Sequence, residues 1–166
     1  MTAPVRAALG LGSNLGDRRQ HLLKAIETLR ATPHVTVVKV SPLVETDPVG
    51  GPEQPDFVNA VVVAETTLSP AALLDLAHQC EGAAQRERAE RWGPRTLDVD
   101  VLAYGELVSD DPDLTLPHPR ATERAFVLVP WSAVDPDFVV AGRSVADWAA
   151  DVDPSTVRPF PLEGGG

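Results

Sequence analysis

Hydrophobic positions along this chain alternate between two periods, one of strands and one of helices. Val5–Leu11 is an apolar run ending in Gly-Ser-Asn and predicts a strand. Arg19–Ala31 carries Leu22, Leu23, Ile26 and Leu29 at the spacing of one helical face, with Asp17 placed to cap it. Val35–Val44 alternates and is β-branched, predicting one strand. Glu45–Asp56 (ETDPVGGPEQPD) is dense in Pro and Gly and predicts a loop, long enough to suggest a functional segment. Phe57–Thr67 predicts another strand, and Ser69-Pro70 opens a helix over Pro70–Ala84. Leu97–Tyr104 predicts a strand that Gly105 turns into a short partner strand around Leu107. Leu116–Arg120 (LPHPR) predicts a rigid extended loop, Glu123–Val129 a short helix or turn, and Ser144–Ala150 a last helical piece. Strands with hairpin-like links, interleaved with helices, predict an α+β fold whose mainly antiparallel sheet is covered by helices. One domain over 1–160 is expected, with a loose tail over 161–166.

The pattern holds no apolar run of membrane-spanning length, and the start (MTAPVRAALG) lacks a signal-peptide pattern. Cys80 stands alone on an apolar helix face, so it reads as a structural thiol, and a reducing cytoplasm is the expected compartment. The net charge of −10 argues against a nucleic-acid binder. Positive charge is nonetheless concentrated: Arg86, Arg88, Arg91 and Arg95 crowd one short stretch. That stretch suits a local anionic ligand, or else a solvated loop balanced by Glu87 and Glu90.

The sharpest chemical signal is Thr96-Leu97-Asp98-Val99-Asp100-Val101-Leu102. On a strand Leu97, Val99 and Val101 point one way, and Asp98 and Asp100 the other, with Cβ atoms about 7 Å apart. Two aspartates on one strand face repel each other and are depleted in strands. A hard divalent cation with substrate phosphates relieves both problems, and two carboxylates serve two ions bridged by phosphate. The alternative is a solvated strand end paired with the preceding arginines. Gly10-Leu-Gly-Ser-Asn-Leu-Gly16 follows a strand but lacks the Gly-Lys-Ser/Thr of a Walker loop. It reads as a tight turn using glycine for unusual backbone angles, or as the edge of a site.

Four segments together resemble one family, the 6-hydroxymethyl-7,8-dihydropterin pyrophosphokinases: GLGSNLGDR (10–18), ETDPVGGPEQPDFVNAVV (45–62), RWGPRTLDVDVLAYG (91–105) and LTLPHPRATERAFVLVPW (114–131). The resemblance covers most of the chain from Ala8 to Pro136. It implies a ferredoxin-like, three-layer α-β-α fold. It also implies transfer of diphosphate from ATP to the hydroxymethyl oxygen of the pterin, with AMP leaving. Two Mg²⁺ ions would be held by Asp98 and Asp100, and Arg86 and Arg95 would engage the transferred phosphates. Arg88 and Trp92 match nucleotide-side residues, and Glu81, Thr115, His118 and Arg124 match further ATP positions. Phe57 and Phe126 match the rings that sandwich the pterin, Asn59 matches the side chain reading its edge, and Thr46 and Val49 match backbone contacts. A monomer binding ATP and 6-hydroxymethyl-7,8-dihydropterin is expected, with no nucleic-acid or membrane partner. An ATP-dependent kinase on another heterocycle, or a non-catalytic binding module on the same sheet, are the competing readings.

Overall fold

The structure is a computed structural model that describes residues 3–13, 17–46, 57–86 and 97–160, with backbone only for 84–86. The chain begins with strand β1 (Val5–Ser13) and helix α1 (Arg18–Ala31). Asp17 caps α1 by accepting the Gln20 N–H at 3.1 Å, as the sequence predicts. Strands β2 (Val35–Val40), β3 (Val44–Thr46) and β4 (Phe57–Thr66) follow, then helix α2 (Pro70–Arg86), capped by Ser69 Oγ, and strand β5 (Asp98–Tyr104). A hairpin of β6 (Ser109–Asp111) and β7 (Leu114–Leu116) leads to helix α3 (Ala125–Val134). The C-terminal part holds the two-residue strands β8 (Val139–Val140) and β9 (Arg143–Ser144), helix α4 (Val145–Ala150), a 3-10 turn and strand β10 (Val157–Pro159).

The main sheet runs β10-β3-β4-β1-β5, with β2 also paired to β4, and every pairing is antiparallel. In β1-α1-β2 the strand β4 lies between the two parallel ends, and in β4-α2-β5 the strand β1 does. Two such interlocked crossovers are the ferredoxin-like arrangement. Helices α1 and α2 bury Leu22, Ile26, Leu29, Leu73 and Cys80 on one face of the sheet, against Leu9, Leu11, Val99 and Val101. Helices α3 and α4 cover part of the other face, where Val127, Leu128 and Val145 meet Val61, Val63 and Leu102. Trp131 is fully buried there, edge-on to Phe138 with ring centroids 5.3 Å apart. Burial raises the Cys80 thiol pKa, with Glu81 adding to it, so the structural reading of this cysteine stands.

Several elements differ from the sequence expectation. The single strand over Val35–Val44 is two strands, both laid along β4. Ser41 makes the break: its N–H donates to Val61 O and its hydroxyl accepts the Val61 N–H, after which Pro42 carries no donor. Glu45 and Thr46 belong to β3 rather than to a loop. No strand forms at Leu107; Glu106–Val108 are exposed, and the following strand pairs with β7 rather than β5. Helix α3 starts later than expected and continues through Pro130 to Val134. The proline leaves the Phe126 carbonyl without its intrahelical donor, but burial of Val127, Leu128 and Trp131 holds the helix together. Gly10 and Gly12 lie inside β1, not in a turn; residues 14–16 of that motif lie outside the described residues.

Candidate active site

The strand alternation places Val99 and Val101 in the core and leaves Asp98 and Asp100 on the opposite face, Asp98 half-buried and Asp100 exposed. Both aspartates line one cleft of about 1100 Å³, which opens where α3 and α4 do not cover the sheet. Register explains its floor. Gly12 on β1 lies between Asn59 of β4 and Asp98 of β5, and Gly10 lies between Val61 and Asp100. Glycine is needed here for room. A Cβ on Gly12 would come within 2.8 Å of Asn59 Oδ1, and one on Gly10 within 3.3 Å of Leu102. A glycine inside a strand often marks such a close approach.

Asn59 is buried, and its Nδ2 donates to Thr46 Oγ1 at 3.3 Å. That bond uses one donor and leaves the carbonyl and the second N–H to face a ligand. Phe57 and Phe126 also line the cleft, each half-buried rather than packed in the core. Phe57 is the first residue of β4, and Phe126 lies in the first turn of α3, with the Arg124 guanidinium 5.5 Å from its ring centre. Aromatic rings on partly open walls suit a flat heterocycle.

His118 brings a second kind of chemistry to the cleft. Its N–H donates to Leu102 O at 2.8 Å, which fixes the loop to β5, and its Nδ1 accepts the Arg120 N–H at 3.1 Å. The neutral ring therefore carries its proton on Nε2. Burial lowers the His118 pKa; Asp100 opposes this, while Arg124 and Arg120 push the same way as burial. NMR titration is expected to place the His118 ring below the ordinary 6.5. Because the folded pKa is the lower one, the unfolded chain takes up a proton first as pH falls. The stabilisation is complete above about 6.5 and is lost as pH falls through the folded pKa. His118→Gln should remove that part of the pH dependence of Tm; an unchanged profile would contradict it.

The cleft thus brings together Thr46, Phe57, Asn59, Asp98, Asp100, His118, Arg124 and Phe126 of the expected residues. It does not include Glu81 or Thr115. Glu81 lies on α2, and its carboxylate accepts the Val99 N–H at 2.8 Å, bracing β5 between the two aspartates. Thr115 lies in the β6–β7 hairpin with its hydroxyl on Asp111 O. Val49, Arg88, Trp92 and Arg95 lie outside the described residues, as does the side chain of Arg86. Sequence reasoning missed Arg120, Arg158 and the stretches 151–153 and 155–156, all on the cleft wall. Only Arg120 carried a signal, its place in LPHPR.

Asp98 and Asp100 fit a hard cation: two carboxylates on one strand face, in an open cleft, beside glycines that leave room for a phosphate chain. Among the described residues no group of three or more metal-ligating side chains forms, so remaining ligands would come from substrate and water. No helix among them is long and apolar enough to cross a membrane.

Comparison with known proteins agrees with this geometry. The family model for 7,8-dihydro-6-hydroxymethylpterin-pyrophosphokinase matches residues 8–136. A 2-amino-4-hydroxy-6-hydroxymethyldihydropteridine pyrophosphokinase of Methylorubrum extorquens is 47% identical over 154 residues, covering 92% of this chain and 97% of its own. One from Bacillus subtilis is 44% identical over 128 residues, 77% of each chain. In fold the chain resembles a Plasmodium falciparum HPPK-DHPS triple mutant solved with pterin and p-hydrobenzoate, at TM-score 0.67 and 14% identity. That match covers 90% of this chain and 44% of the longer one, so the chain spans less than half of that solved protein. By the extent of the family match and the identity to full-length relatives, this chain belongs to the 7,8-dihydro-6-hydroxymethylpterin-pyrophosphokinase family.

Proposed function

We propose that this cleft transfers diphosphate from ATP to 6-hydroxymethyl-7,8-dihydropterin in folate biosynthesis, with Asp98 and Asp100 as its metal-holding pair. The observation that carries this reading is the register across β4, β1 and β5. It sets an amide that can read a ring edge and a carboxylate pair on either side of side-chain-free Gly12. Phe57 and Phe126 stack the pterin, and Asn59, oriented by Thr46, reads its edge. Val49, by its place in the family's motif, is assigned a backbone contact to the pterin. His118 and Arg124, which line the cleft wall, take the nucleotide side in this reading, with neutral His118 offering its Nε2–H to a phosphate oxygen. Arg86, Arg88, Trp92 and Arg95 complete the nucleotide side, on the strength of their place in the family's motif.

The chemistry that two magnesium ions supply at Asp98 and Asp100 is neutralisation of phosphate charge and polarisation of the β-phosphorus. The protein's part is positioning. It holds the hydroxymethyl oxygen in line with the bond to the leaving AMP, so that one O–P bond forms as another breaks. Glu81 acts at the open edge of β5 by fixing the Val99 amide and so the spacing of the aspartates. The enzyme is read as working in the cytoplasm, in keeping with one buried free thiol.

An end-point assay with ATP, Mg²⁺ and the hydroxymethyl dihydropterin tests the reading. AMP and pterin diphosphate are expected in equal amounts. ADP instead of AMP would indicate a simple kinase, and no pterin-dependent nucleotide product would overturn the assignment.

A further inference from the structure

The family model ends at residue 136, yet the chain beyond it forms one wall of the cleft and the last strand of the sheet. Strand β3 is only three residues long. It pairs with β4 on one side and with β10 on the other, in the register Val157↔Thr46, Arg158↔Glu45, Pro159↔Val44. Side chains alternate along it, so Thr46 turns to Asn59 while Glu45 turns to the opposite face. There Glu45 Oε2 accepts from Arg18 Nη1 at 3.0 Å, and Arg158 Nη2 lies 3.8 Å from Oε1. The guanidiniums of Arg18 and Arg19 lie over the Phe160 ring, 5.3 and 5.1 Å from its centre. The Phe160 N–H donates to Leu43 O at 2.9 Å, just before β3. One carboxylate thus ties three elements together: the start of α1, β3 and the C-terminal strand.

We propose that Glu45 is a positioning residue for pterin recognition, and that the C-terminal strand, through Arg158, supplies part of its anchor. The inference rests on the reading of the cleft above. A three-residue strand has few pairs to hold it, and a small slide would carry Thr46 away from Asn59. That would leave the amide free to rotate away from the ring edge. Glu45, held on the far face by Arg18 and from the sheet edge beside the cleft by Arg158, prevents the slide without touching substrate. Side-chain exposures of 24% for Arg18 and 23% for Glu45 make that pair the stronger, with Arg158, at 42%, the weaker.

Steady-state kinetics on Glu45→Gln, Arg158→Met and Arg158→Lys test this. Glu45→Gln and Arg158→Met should raise KM for the pterin, Glu45→Gln by about five- to tenfold and Arg158→Met by less. In Glu45→Gln the KM for ATP and kcat should stay within about twofold, and Arg158→Lys should restore most of the Arg158→Met loss. An unchanged pterin KM in both variants overturns the proposal. So does a parallel loss of kcat and both KM values together with Tm, which would mark a general structural role. Should Glu45→Gln fail to fold, Arg18→Met, which removes the other anchor and lies away from the cleft, is expected to raise the pterin KM in the same way and decides alone. Wild-type enzyme that makes no AMP would bring down the reading of the cleft, and this inference with it. An active wild type without the split in KM sinks only the inference.

Discussion

Asp98→Asn should cost on the order of 10³-fold in kcat, since a metal-bridged phosphate accounts for several kcal/mol of transition-state stabilisation. The substitution keeps the shape of the side chain and removes only its charge. The fold has little reason to suffer. β5 is held by Val99 and Val101 in the core, by six paired positions with β1 and by the Glu81 bond to the Val99 amide, none of which involves the Asp98 carboxylate. Tm should therefore stay close to wild type while turnover falls. Asp100→Asn should behave in the same way, because the two residues share one strand face and, on the proposed reading, the same metal site. The two changes should be far from additive: once one carboxylate is gone, the second has little phosphate-bound metal left to hold. Single-turnover rates and the Mg²⁺ concentration for half-maximal activity are the measurements. Near-normal turnover in either variant, at ordinary Mg²⁺, would remove the metal assignment.

The aspartate pair was legible in the sequence because a strand's period of two is rigid. Once Val99 and Val101 point into a core, Asp98 and Asp100 have only one place to go. Helices α1 and α2 were legible from their own 3.6-residue period, down to the Asp17 and Ser69 caps. What the sequence hid depends on partners far away in the chain. Ser41 breaks a strand only because Val61 lies across from it, with both of its backbone groups paired to Ser41. The residues after Tyr104 look like a hairpin arm, but the following strand finds its partner in β7, which no local pattern shows. Pro130 should end a helix by local rules, yet the buried face formed with Trp131 outweighs one missing hydrogen bond. Glu81 has the right residue type for a nucleotide contact, and the fold sets its carboxylate on the Val99 amide at the open edge of β5, a partner no local pattern shows. Of the two readings of Gly10 and Gly12, a tight turn or the edge of a site, the structure bears out the second. The glycines' positions in the register, beside Asn59 and Asp98, make them part of the floor, and that register is set by three strands at once.

Gly12→Ala is expected to lower kcat/KM for the pterin by about 10- to 100-fold, the scale at which a misplacement of about 1 Å is felt. The added methyl would come within 2.8 Å of Asn59 Oδ1, closer than two such atoms can approach. The strand cannot give way easily, because β1 is an interior strand paired on both sides. The amide must move instead, and doing so strains or breaks its 3.3 Å bond to Thr46. The edge-reading groups then meet the pterin at the wrong angle, while the aspartate pair and the nucleotide wall stay in place. The loss should accordingly appear in pterin KM more than in ATP KM. Gly10→Ala is the internal control. Its methyl would meet the flexible end of Leu102 at 3.3 Å, so a small rotation relieves it, and pterin recognition should barely change. A double-mutant cycle separates this account from mere damage to the sheet. If Gly12→Ala acts by displacing the amide, adding it to Asn59→Ala should do little further harm to pterin binding. Fully additive losses would show that the methyl acts on something other than Asn59.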